Sequence, residues 1–86
     1  MTDADLVAVA RRAPESLRFT DAVRLARQLG FEKVRQAGGH RVYRGPLRAV
    51  ATPLNLQESR DGHAKAFQIE RMLRVAEAAG RLPRER

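Results

Sequence analysis

The residues of this 86-residue chain that could do chemistry gather around one histidine. His40 follows a Gly38-Gly39 pair and stands among Lys33, Arg35, Arg41 and Arg44. Glycines permit the positive φ of a tight turn and the close approach of a phosphate. A neutral imidazole beside a ribose 2′-OH is the base that phosphodiester transesterification requires, and neighbouring cations would hold the flanking phosphates. Lys65, at the start of the last apolar-periodic segment, is a further phosphate ligand in prospect, together with helix N-terminal amides. His63, within Asp61-Gly62-His63, reads first as a solvated loop residue and second as another acid–base group. The two histidines lack metal-ligand spacing, so no metal or other cofactor is expected. Phosphate-loop, paired-carboxylate and Ser/His/Asp patterns are absent from the sequence.

A β-hairpin must position this set. Gly38-Gly39 separates two short runs containing apolar and β-branched residues, and a two-residue turn there places Ala37 opposite His40, Gln36 opposite Arg41, Arg35 opposite Val42, Val34 opposite Tyr43 and Lys33 opposite Arg44. Opposed residues share a face, and the face alternates along the strand. The register predicts one face with Val34 and Tyr43, and another with Lys33, Arg35, His40, Val42 and Arg44. A one-residue slip would exchange the two.

Around the hairpin the sequence predicts a helix over 3–12, capped by Thr2 or Asp3 and ended by Pro14. A second helix is expected from a Thr20 N-cap, with Ala22, Leu25, Ala26 and Leu29 facing the core and Gly30 closing it. After a turn at 44–47, residues 48–52 read as a third strand that becomes an edge or breaks at Pro53 before Leu54-Asn55-Leu56. Residues 57–64 read as a loop. The last helix carries Ile69, Met72, Leu73, Ala76 and Ala79 on one face and stops at Gly80. Phe31 and Phe67 are expected in the core. The predicted class is α+β: a two-layer α-β-β-β-α domain with a three-stranded antiparallel sheet and an extra N-terminal helix. Residues 1–18 form the helical extension, 19–82 the domain and 83–86 a basic tail.

Composition bounds the function. A formal net charge of +7 and a pI near 11.4 imply a polyanionic partner such as nucleic acid, an anionic membrane surface or an acidic protein. The absence of cysteine excludes disulfides and thiolate chemistry. Neither a membrane-length apolar run nor a basic signal-peptide start is present, so a cytoplasmic location is expected.

With Gly30-Phe31, then Val34-Arg35-Gln36, then Gly38-Gly39-His40 and Val42-Tyr43, the chain resembles the HicA family of small mRNA interferase toxins. Gly62-His63-Ala64-Lys65-Ala66-Phe67-Gln68, leading into the last helix, is similar to the end of longer sequences of that type. The match runs over residues 19–82. It implies a fold like the double-stranded-RNA-binding domain and metal-independent mRNA cleavage with His40 as the catalytic residue. Lys33, Arg35, Gly38, Gly39, Arg41, Arg44 and Lys65 are then the RNA-contacting set, and a HicB-type antitoxin would cover the site. Gly39 stands where the family has serine. Pro53-Leu54-Asn55-Leu56 stands where short forms often have a second histidine. Two other readings compete: a non-catalytic RNA-binding module of the same fold, and a basic domain that docks an acidic protein.

Overall fold

The computed structural model describes residues 2–46 and 53–83. It is an α+β structure with three α-helices among the described residues and an open, three-stranded antiparallel sheet. The first helix, α1 (Asp3–Arg12), begins with a capping box: Thr2 Oγ1 accepts from the Asp5 amide at 3.2 Å, and the Thr2 amide donates to Asp5 Oδ2 at 2.9 Å. These bonds, the backbone one foremost, hold the Asp5 carboxyl below its usual range. A 3₁₀ turn at Pro14–Ser16 leads to α2 (Phe19–Gln28).

The N-cap of α2 is Arg18, not Thr20, and no side chain caps it. The Phe19 amide instead donates to the Gly62 carbonyl at 3.0 Å, so a tertiary partner takes the place of a local cap. At its other end Gly30 has φ +89, and the amides of Gly30 and Phe31 donate to the carbonyls of Arg27 and Ala26. This double bond pattern is a Schellman closure that turns the chain directly into the sheet.

The sheet comprises β1 (Glu32–Ala37), β2 (His40–Arg44) and β3 (Leu54–Gln57), with β2 in the middle. The strand predicted over 48–52 lies outside the described residues. The third strand described starts after Pro53, at the segment the sequence reading placed beyond a possible break. It is followed by α3 (Ala66–Ala78), which Gly80 closes with φ +72.

One core holds the layers together. Ala22, Leu25 and Ala26 of α2, Tyr43, Leu54 and Leu56 of the sheet, and Ile69, Met72 and Ala76 of α3 are all buried. Leu6 and Ala10 of α1 and Leu17 join the same cluster. Phe31 is in the core as expected, but Phe67 is 65% exposed. Two residues before Ile69 is 200° round a helix, so Phe67 falls on the face opposite the buried stripe. No helix among the described residues is long and apolar enough to cross a membrane.

Candidate functional site

Gly38 and Gly39 form the turn, and Ala37 faces His40 across it. Only Gly38 takes a positive φ, +57. Positive φ at the first central position alone is the φ signature of a type II′ turn. His40 is therefore the first residue of β2, locked by the turn on one side and by its pairing with Gln57 of β3 on the other.

The predicted register holds for three pairs, Ala37–His40, Gln36–Arg41 and Arg35–Val42. It then fails at a β-bulge between Lys33 and Arg35. Val34 is the extra residue; Lys33 pairs with Tyr43 and Glu32 with Arg44. Two expectations are overturned. Val34 does not share the inner face with Tyr43: it is 52% exposed, while Tyr43 is 1% exposed. Lys33 does not share the His40 face, because the inserted residue returns it to the side of Arg41 and Tyr43. The bond from Lys33 Nζ to Gln36 Oε1, 2.8 Å, fits that placement, since Gln36 pairs with Arg41.

The outer face, which no described helix covers, carries His40, Val42 and Arg44 in the centre, Arg35 on one flank, and Asn55 and Gln57 on the other. His40 is exposed, and its side chain makes no hydrogen bond or ion pair with another described residue. Arg35 lies on the diagonal from it, a separation of about 7–8 Å that a long side chain spans. Arg44 is four residues along the strand, about 13 Å away, too far for its guanidinium and the His40 imidazole to meet on one small group. Its Nη2 is 2.8 Å from Glu32 Oε2, which offsets its charge.

Lys65 comes to the site from the opposite flank. It is the N-cap of α3, and its Nζ donates to Gln57 Oε1 at 2.9 Å. Gln57 pairs with His40. The Gln57 amide donates to the buried Gln68 Oε1 at 2.9 Å, which fixes α3 against this end of β3. Gln57 opens the segment whose sequence reads as loop, and it carries no catalytic signature; only the strand pairing reveals it as the link between Lys65 and His40. Phe67, two residues beyond Lys65, is the exposed aromatic of the chain, the other three being buried.

Besides Lys33, two sequence candidates do not belong to this group. Arg41 points inward, with its guanidinium 5.3 Å from the centroid of the Phe19 ring, a cation–π contact. His63 bridges to the backbone of Arg18 and lies 3.2 Å, through Nδ1, from Asp61 Oδ1. No hydrogen bond or ion pair joins it to His40. The Asp61 carboxylate takes bonds from the Ser59 hydroxyl and the His63 amide, and is held down at about 2. Among the described residues no three His, Asp or Glu side chains converge as a metal-ligand group.

The arrangement offers an accessible imidazole at a turn, with a cation on each flank and an open polar surface between them. That can take a proton from a hydroxyl while phosphates rest on either side. The chain matches no protein-family model, no curated protein and no solved structure.

Proposed function

We propose that the chain is a metal-independent endoribonuclease of the HicA toxin type, acting on mRNA in the cytoplasm and neutralised by a HicB-type antitoxin. The observation that carries this reading is the exposed, unpartnered His40 flanked by Arg35 on β1 and by the Gln57–Lys65 pair on β3. His40 takes the proton of a ribose 2′-OH. The 2′ oxygen bonds to phosphorus, the bond to the 5′ oxygen breaks, and the leaving oxygen takes up a proton. The products are a 2′,3′-cyclic phosphate and a 5′-hydroxyl. Arg35 and Lys65 hold the reacting phosphate and offset the charge that develops on its oxygens. Arg44 serves the next phosphate, and Phe67 offers the one exposed ring on which a base can stack.

Replacing His40 with Ala is expected to lower cleavage of RNA by purified protein by about 10²–10⁴-fold, the usual contribution of a general base, and to relieve growth arrest on expression. A folded variant that cleaves at the wild-type rate removes His40 from the mechanism.

A second reading, a non-catalytic RNA-binding module, is favoured by two features. Glu32 offsets Arg44, and Gly39 supplies no hydroxyl beside His40. Salt-sensitive RNA binding by wild-type protein without any cleavage supports that reading over the first.

A further inference from the structure

We infer that the reverse side of the hairpin holds a second phosphate-binding subsite, which takes the backbone of an RNA strand as it passes from His40 over the free edge of β1. This rests on the RNA reading above. The subsite is an open cleft of about 500 Å³ between α2 and the inner face of the hairpin. Arg27 of α2, Lys33 and Glu32 of β1 and Arg41 of β2 line it, and Phe31 and Tyr43 form its floor.

Charge comes first. Three cations meet one carboxylate, and that carboxylate is already bound to Arg44. Two of the cations are held in place, Lys33 by Gln36 and Arg41 over the Phe19 ring. Ordering a lysine or arginine side chain is entropically unfavourable, and here part of that ordering is in place before a ligand arrives. Lys33 keeps two of its three ammonium donors, and the Arg41 side chain donates no hydrogen bond to another described residue.

The floor decides the ligand class. Phe31 and Tyr43 are both buried, so neither presents a ring face to a base. The cleft therefore offers charge without a stacking platform, which suits a sugar–phosphate backbone and is indifferent to sequence. The bulge supplies the continuity. Lys33 and Arg35 are two residues apart and would share a face in a regular strand; with Val34 inserted they stand on opposite faces. All six residues of β1 are exposed, and among the described residues nothing pairs with its far edge. A strand crossing that edge keeps a cation beside it on both sides.

The test uses His40→Ala protein, so that RNA survives the measurement, and a fluorescent single-stranded RNA of about twelve nucleotides. Anisotropy titrations are run between about 50 and 200 mM salt with Arg27→Gln/Lys33→Gln added, and with Arg12→Gln/Arg74→Gln as a charge-matched pair elsewhere on the surface. All four residues are exposed. Two lost phosphate contacts lower the salt exponent by about 1.4, so the affinity lost across that range shrinks by about sevenfold for the cleft pair. The remote pair keeps the parent slope. Equal slopes for the two pairs overturn the subsite, as does capture of a poly-glutamate peptide by the cleft in preference to RNA. The ribonuclease reading fails on a separate observation, unchanged cleavage after His40→Ala alone.

Discussion

At the scale of single residues, the two turn glycines differ in what they are needed for. Gly38 sits at φ +57, where a side chain costs about 1–2 kcal/mol. Gly39 has no positive φ, and a Cβ there would meet nothing within 4 Å. Gly38→Ala is therefore expected to lower unfolding free energy in urea by about 1 kcal/mol, and Gly39→Ser to leave it within about 0.5 kcal/mol of wild type. If the chain is the ribonuclease proposed above, whose family has serine at this position, the backbone here accepts one and Gly39→Ser is also expected to raise RNA cleavage above wild type. A faithful serine variant with no gain in rate shows that the hydroxyl has no part in the chemistry. The pair was legible as a turn from sequence. Which glycine carries the positive φ was not, since Gly-Gly satisfies every two-residue turn equally.

Among the elements, legibility followed the locality of the cause. The span of α1 could be read because its stop and start are local: Thr2 and Asp5 close a capping box, and Pro14 ends the run. The start of α2 could not, because its cap is the Gly62 carbonyl, over forty residues away in sequence. The bulge at Val34 was equally hidden. The run Lys33-Val34-Arg35-Gln36 alternates acceptably with or without it, and Tyr43 faces the core in either pairing, so no residue of the run signals the extra one. Phe67 is a different case: its apolar character points to the core, but helical period places it outward. The loop after β3 carries its own electrostatic device. Asp61, ordinarily near 3.8 and held at about 2 by Ser59 and His63, contributes stability that is fully present above about pH 4 and is lost as pH falls through about 2. The urea midpoint of wild type is thus expected to exceed that of Asp61→Asn above pH 4, with the gap closing between about pH 4 and 2. A gap unchanged down to pH 2 contradicts the assigned bonds.

For the molecule as a whole, the N-terminal helix packs into the same core as the layers that follow it. The sequence reading gives residues 1–18 as a helical extension of the domain, and within it Leu6 is fully buried and shares the core with α2 and α3. Polar contacts fasten α1 at both ends: Asp3 to Arg24 at 3.0 Å and to Gln28 at 3.3 Å, and Arg11 to Glu77 at 3.4 Å and to the Pro83 carbonyl. The exposed pairs add little, about 0–1 kcal/mol each; burial of Leu6 is the larger contribution. Leu6→Ala is expected to cost about 2–5 kcal/mol in urea unfolding, with the whole chain losing structure in one transition. A separate early transition confined to α1 signifies an appendage instead. A short apolar face such as Leu6, Val7 and Ala10 looks weak in isolation, and its weight depends on what it meets.

The bulge has a consequence for solution behaviour as well. A strand whose far edge is open presents a row of unpaired amides and carbonyls on which another chain could grow a fourth strand. On β1 that row is broken in the middle by Val34, and charged side chains stand on either side of the break. Bulges and edge charges are common defences against such growth, because both spoil the flat template it needs. The same inserted residue that divides Lys33 from Arg35 thus works against edge-to-edge stacking of one copy on another.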